Sequence, residues 1–247
     1  MIDLRLGDCL KLMKDIPSGS IDAIITDPPY GTTACKWDSV IDFNLMWKQL
    51  NRVIKPNGAI VLFGSEPFSS ALRMSNIKKY KYDWVWEKTK AGNFAQCRKN
   101  PMKYHENISV FYKNFPKFNL INLKKLAKPV LSSRKNKGAN LGHVSNGSES
   151  YYQKETGFHH SILRFSNKSG KGYSFHPTQK PIALMEYLIK TYTNENETVL
   201  DFTMGSGSTG VAAKNLKRNF IGIEQDENYF KIATERINKE EKQLKIL

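Results

Sequence analysis

The sequence predicts an α/β protein built on a doubly wound, mostly parallel sheet, with a basic, loop-rich segment inserted near its middle. Three observations point there. Short apolar runs alternate with stretches of helical periodicity both in the first third of the chain and again after residue 177. The regular pattern fails between residues 113 and 172, and a glycine-rich turn near residue 205 separates a strand from a helix. At 247 residues the chain can bury a full α/β core.

The N-terminal Ile2-Asp3-Leu4-Arg5-Leu6 alternates apolar with charged side chains and reads as the first strand. It lacks the basic-then-apolar layout of a signal peptide, and no apolar run approaches the roughly 18 residues of a membrane span. A cytosolic (cytoplasmic) protein without membrane contact is therefore expected. Residues 21–26 form a short buried strand that must stop at Asp27-Pro28-Pro29, because proline donates no ladder hydrogen bond. Over residues 43–54, Phe43, Met46, Trp47, Leu50, Val53 and Ile54 fall on one helical stripe, and Pro56-Asn57-Gly58 ends that helix. Residues 59–63 are continuously apolar, as in a parallel strand covered on both faces. Residues 82–86 and 108–112 read as further strands.

From residue 113 to 172 Ser, Asn, Gly and Lys dominate, with scattered Phe115, Phe118, Tyr151, Tyr152, Phe158 and Phe165. A structureless loop of that length is unusual inside a compact domain, so part of it is expected to order on a partner. Beyond it Pro181 stands where a first-turn proline is tolerated, and Leu184, Tyr187, Leu188 and Tyr192 give a helix its apolar face. Strands over 198–201 and 219–224, a helix over 209–216 between them and a terminal helix over 228–245 complete a second β-α-β unit. The expected organisation is one domain in two halves, 1–112 and 173–247, interrupted by the insertion at 113–172.

The formal net charge of +15 is unevenly placed: residues 78–172 hold 20 of the 38 Lys and Arg but 5 of the 23 Asp and Glu, leaving 18 of each elsewhere. Charge confined to one segment suits a surface that faces a polyanion, nucleic acid first; a merely solvated lysine-rich surface is the alternative. Cys9, Cys35 and Cys97 are odd in number and widely spaced, which argues for free thiols and against a disulfide framework or a metal site.

Two motifs carry chemistry. The turn from Phe202 through Thr203, Met204, Gly205, Ser206 and Gly207 lies between a strand and a helix, where glycines let a ligand approach the main chain. Alone it is compatible with phosphate binding or with a tight corner. Glu224, 17 residues after Gly207 at the end of the next strand, can accept hydrogen bonds from ribose hydroxyls in a Rossmann-like crevice, so the pair suggests a nucleoside-containing cofactor. No Gly-Lys-Ser/Thr follows, so the loop is not a P-loop, and its spacing departs from the dinucleotide GxGxxG pattern. The second motif, Asp27-Pro28-Pro29-Tyr30, lies at the carboxyl end of a strand, the edge at which open α/β sheets bind ligands.

Together these motifs resemble those of the amino-methylating DNA methyltransferases, in which Asp/Asn/Ser-Pro-Pro-aromatic is catalytic and a Phe-x-Gly-x-Gly-like loop binds S-adenosylmethionine. The match spans residues 1–112 and 173–247, with the catalytic motif before the cofactor loop, as in the β arrangement of that family. Gly7-Asp8-Cys9 resembles the segment that contacts the cofactor adenine through its acid. His176-Pro177-Thr178-Gln179-Lys180-Pro181 resembles the stretch that lines the methionine pocket. One departure is at residues 202 and 203, where members commonly have Pro and Phe and this chain has Phe and Thr.

The resemblance implies catalytic roles for Asp27, Pro28, Pro29 and Tyr30. It implies cofactor contacts for Asp8, Cys9, Asp27, His176, Thr178, Gln179, Phe202, Gly205, Ser206, Gly207 and Glu224. Asp in the first catalytic position is typical for adenine N6 and Ser more frequent for cytosine N4. Adenine in double-stranded DNA is therefore the expected substrate and the insertion the target-recognition region; cytosine N4, RNA, a protein glutamine or an inactive DNA-binding relative are the alternatives. None of the three cysteines follows a proline, so a Pro-Cys nucleophile of the cytosine-C5 kind is absent. Trp37-Asp38 would cap the pocket or pack, and His105, in a Lys103-Tyr104-His105-Glu106 segment resembling one near the target-base pocket, is read as structural. A homodimer and a cognate restriction endonuclease are the further partners that the resemblance raises.

Overall fold

The computed structural model describes residues 1–32, 39–133, 150–167 and 179–239. In chain order the elements are β1 (Ile2–Leu6), α1 (Cys9–Leu12), β2 (Ile21–Thr26), α2 (Phe43–Val53), β3 (Ile54–Gly64), α3 (Phe68–Ser75), β4 (Tyr80–Glu87) and β5 (His105–Phe111). There follow β6 (Lys124–Ser133), β7 (Ser150–Thr156), β8 (Ile162–Arg164), α4 (Ile182–Tyr192), β9 (Thr198–Asp201), α5 (Ser208–Asn215), β10 (Asn219–Glu224) and α6 (Glu227–Asn238). Eight strands make one sheet in the order β1-β10-β9-β2-β3-β5-β4-β8. Within it β5 runs antiparallel to β3 and β4, and every other pairing is parallel.

The winding decides where a ligand can bind. From β2 the chain moves through α2 to β3, and from β9 through α5 to β10 on the opposite side, so β2 and β9 are adjacent strands from which the chain departs in opposite directions. A crevice opens at the carboxyl ends of such a pair. Asp27, directly after β2, and the turn after β9 therefore flank one opening.

The sheet is covered on both faces, which is why residues 59–63 of β3 are continuously apolar. Ala59, Val61 and Phe63 pack with Leu184, Leu188 and Ile189 of α4 and Ile237 of α6, while Ile60 and Leu62 pack with Met46 and Leu50 of α2 and Leu72 of α3. Each of the larger side chains among them, Val, Leu, Ile, Met or Phe, contributes about 1.5–3 kcal/mol relative to exposure. Residues 54–64 form one strand rather than the expected turn and strand. The ladder to β2 jumps from Ile21↔Ile54 to Ala23↔Ala59, so residues 55–58 bulge and Pro56 is spared a ladder bond. The end of the expected terminal helix, residues 240–245, lies outside the described residues.

Residues Leu120–His160 cluster as a separate compact unit. Its described part is the antiparallel pair β6 and β7, in register from Lys124↔Thr156 to Ser133↔Ser150 with an irregularity between Lys125 and Val130. The flanks, which the sequence groups with this insertion, pack in the larger unit: Phe118 stacks on Trp84 at 6.2 Å, and Asn119 N donates to the Thr191 carbonyl at 2.8 Å. Among the described residues no helix is long and apolar enough to cross a membrane.

Two buried polar groups tie elements together. Tyr192, at the end of α4, accepts a hydrogen bond from Trp84 Nε1 of β4 at 2.8 Å, and its hydroxyl lies 2.9 Å from that of Tyr82. Asp201, at the end of β9, is 3% exposed. One carboxylate oxygen accepts from Thr26 Oγ1 and from Thr203 N, and the other accepts from Thr209 Oγ1 of α5. Burial pushes its carboxyl up to about 6, with the threonine donors recovering only part of the shift.

Two outcomes follow. Tyr192→Phe leaves the Trp84 N–H without its acceptor in the core and is expected to cost about 1–3 kcal/mol in chemical denaturation; an unchanged midpoint would contradict this. For Asp201 the folded-state value lies above the ordinary 3.8, so the folded chain holds this proton more tightly than the unfolded chain. The associated stability is fully present below about pH 4 and is lost as pH rises through about 6. Relative to wild type, Asp201→Asn is expected to gain on the order of 3 kcal/mol between pH 4 and pH 7. A pH-independent difference between the two proteins would contradict the assignment.

Candidate active site

A cavity of about 300 Å³ opens at the carboxyl ends of β1, β10, β9 and β2. Its first half is built by the turns after β1, β9 and β10. Asp8 caps α1 by accepting from Lys11 N at 3.0 Å, and both Asp8 and Cys9 line the wall. Burial, with the Asp8 charge beside it, pushes the Cys9 thiol up to about 12, which removes it as a nucleophile. Glu224 reaches in from the end of β10 and is oriented by the main chain: Oε2 accepts from Gly205 N at 2.8 Å and Oε1 from Asp226 N at 2.9 Å. Burial raises its carboxyl above the usual range.

Phe202, Gly205 and Ser206 line the same cavity, whereas Gly207 is not part of the lining. Its φ of +81° starts α5, and a Cβ there would come within 2.9 Å of the Ala233 side chain, so a glycine lets α6 pack closely. Ser206 is held from α6 by Arg236, whose guanidinium donates to its carbonyl and, at 2.9 Å, to its hydroxyl.

The other half centres on Asp27, with Pro28, Pro29 and Tyr30 also in the lining. Tyr30 OH donates to Asp27 Oδ1, and its ring packs on Phe68 at 5.0 Å. Lys180 Nζ donates to Asp27 Oδ2 and stands 3.3 Å from Glu106 Oε2, while Lys88 pairs with Glu106 from the far side. The Lys180 side chain is 7% exposed and those of Asp27 and Glu106 23% and 14%. Burial pushes Asp27 upward against the pull of Lys180, and the Glu106 charge adds to the rise. Burial alone would lower Lys180, but Asp27 and Glu106 hold its ammonium above the usual range. For Glu106, burial is more than reversed by Lys180 and Lys88.

The two halves are stitched by the departure at position 203. Thr203 Oγ1 donates to the Asp27 carbonyl at 3.1 Å and lies 2.8 Å from Thr26 Oγ1, so the turn after β9 braces the motif after β2. Phe202 is buried in the core on the α2 face.

The structure therefore gathers Asp8, Cys9, Asp27, Pro28, Pro29, Tyr30, Gln179, Phe202, Gly205, Ser206 and Glu224 around one cavity. His176, Thr178, Cys35, Trp37 and Asp38 lie outside the described residues. His105 is exposed, and its neighbour Glu106 is the member of that segment that reaches the cavity. Lys180 and Glu106 stand within two of the segments that resemble the family's, but neither is among the expected site residues. A signal for Glu106 was present, since it is one of 5 acids in the basic stretch 78–172.

A model of the DNA methylase family, covering N6 and N4 methyltransferases, matches residues 21–235. The chain is 32% identical over 256 residues to the type II methyltransferase M.HpaI of Haemophilus parainfluenzae, with 97% of this chain and 76% of that protein covered. It is also 32% identical over 261 residues to M2.LlaDCHI of Lactococcus lactis subsp. cremoris, covering 94% and 88%. Among solved structures, the M1.HpyAVI–SAM complex aligns with a TM-score of 0.64 at 31% identity, over 97% of this chain and 100% of that one. The cytosine-N4-specific PvuII DNA methyltransferase aligns with a TM-score of 0.72 at 18% identity, over 97% and 87%, and shares the fold. With its sheet, its paired half-sites and these relatives in agreement, the chain belongs to the N6/N4 DNA methylase family.

Proposed function

We propose that the protein methylates the N6 amino group of adenine in double-stranded DNA at a specific site, with S-adenosylmethionine as the methyl donor. The observation that carries this is Asp27: a carboxylate at the cavity, held on one oxygen by Lys180 and on the other by Tyr30, beside a half-site suited to a nucleoside. A cavity of about 300 Å³ is at the small end of the range for a ligand of this size. Glu224 would hold ribose hydroxyls, Asp8 and Cys9 the adenine, and the 202–206 turn and Gln179 the remainder; His176 and Thr178 belong to the same reading from the sequence. S-adenosylmethionine, when bound, supplies a methyl group on a sulfonium, an electrophile that needs no metal.

The chain's own task is to make the acceptor nitrogen nucleophilic. The lone pair of an exocyclic amine is delocalised into the ring, so the amine must pyramidalise. Hydrogen bonds from its two hydrogens to the Asp27 carboxylate and the Pro28 carbonyl favour that geometry over the planar ground state. Pro29 fixes the turn, and Tyr30, seated on Phe68, provides a face on which the base stacks. The base must leave the duplex first, at a cost of a few kcal/mol, which phosphate contacts from the basic insertion offset. Asp rather than Ser at position 27 favours adenine over cytosine. A cytosolic setting, a homodimer and a cognate endonuclease go with this reading.

The test is to supply labelled S-adenosylmethionine and unmethylated genomic duplex, digest the DNA and identify the labelled nucleoside. N6-methyladenine is expected. N4-methylcytosine would overturn the choice of base, and no label in DNA would overturn the function. Asp27→Ala is expected to lose about a hundredfold or more in rate while still binding the donor; unchanged activity would remove Asp27 from the mechanism.

A further inference from the structure

The loop joining β4 to β5, residues 88–104, is not used by the reading above. It leaves the sheet at the edge where the cavity opens. β4 is parallel to β3, so its end at Glu87 lies on the carboxyl edge, and β5, being antiparallel, begins on that edge. In the sheet β4 stands three strands from β2, about 14 Å across. The base of the loop is fastened to the site: Lys88 pairs with Glu106, which faces Lys180, and Lys103 Nζ donates to Ser65 at the end of β3.

The loop is also internally ordered. Lys88 N donates to the Tyr104 carbonyl at 2.7 Å and Gly92 N to the Lys103 carbonyl at 3.0 Å, which closes its neck. Asn93 clamps the two arms, donating to the Pro101 carbonyl at 3.0 Å and accepting from Lys103 N at 2.6 Å. Above that clamp Phe94 starts a 3₁₀ turn with 73% of its surface exposed. The loop carries 5 basic residues and no acidic one. Lys90, Arg98 and Lys99 are exposed. An exposed aromatic side chain on an ordered turn, in a loop that carries five cations and no acid, matches a stacked base flanked by phosphates.

We propose that this loop is a DNA-facing wedge: Phe94 enters the base stack at the place vacated by the target base, and Lys90, Arg98 and Lys99 bind the flanking phosphates. The inference rests on the DNA-methylating, base-flipping reading above. Filling the gap restores stacking to the neighbouring bases and holds the opened duplex while the base occupies the cavity.

The test uses the full chain and an oligonucleotide duplex carrying the site mapped from the labelled genomic DNA, with the target base either correctly paired or mispaired. Single-turnover methylation is compared for wild type, Phe94→Ala and Phe94→Trp. Stacking of one base supports a slowing of about tenfold for Phe94→Ala on the paired duplex and of less than about threefold on the mispaired one, where opening is already eased. Phe94→Trp, which keeps a stacking face, should stay near wild type. Equal slowing on both duplexes, or none on either, would overturn the wedge. Failure of the wild type to methylate either duplex would instead strike the function on which the wedge depends.

Discussion

Holding the half-buried Asp27 against the buried Lys180 is the constraint around which the site is organised. A carboxylate withdrawn from water tends to take up a proton, and a protonated Asp27 would present one oxygen fewer as an acceptor. Lys180 opposes this at direct hydrogen-bonding range, and Glu106 and Lys88 extend the pair into a four-membered alternation of charge. Breaking such a buried arrangement by removing one partner is costly, because the remaining charge is left without compensation. The members come from the end of β2, the start of β5, the end of β4 and the approach to α4, so the sheet order itself brings them together.

The antiparallel β5 is what makes the cluster possible. In an all-parallel sheet the first residues of this strand would lie at the opposite edge from Asp27. Reversed, β5 brings Glu106 to the carboxyl edge, and its side-chain alternation puts Glu106 on the same face as Ile108 and Val110, toward α4 and Lys180. The same reversal places the 88–104 loop at the carboxyl edge of the sheet. A second link, from Asp201 through Thr26 and Thr203 to the Asp27 carbonyl, braces the two central strands from below.

Much of this was legible from the chain. The doubly wound sheet follows from apolar runs such as residues 59–63, which only a sheet covered on both faces accommodates, and the placement of Asp27 and Glu224 at strand ends follows from local pattern alone. Less legible were elements without a clear period. α3 is 8 residues long, β8 is 3, and β6 and β7 read as lysine-rich coil because their side chains alternate around a two-stranded pair with little core to bury. The pairing of Lys180 with Glu106 and Asp27 escaped for a different reason: an ion pair depends on partners here 74 or more positions apart in the sequence, and no local window contains both.

The ion pair's role is tested most directly by the acid limb of the single-turnover methylation rate in wild type, Lys180→Met and Lys180→Arg. In the mechanism proposed above the acceptor is ionised Asp27, whose pKa burial raises, so the wild-type rate should fall with decreasing pH above the range of an ordinary aspartate. Removing the Lys180 charge should move the limb to still higher pH, and Lys180→Arg should return it toward wild type. An acid limb at the same pH in Lys180→Met and wild type would contradict the account.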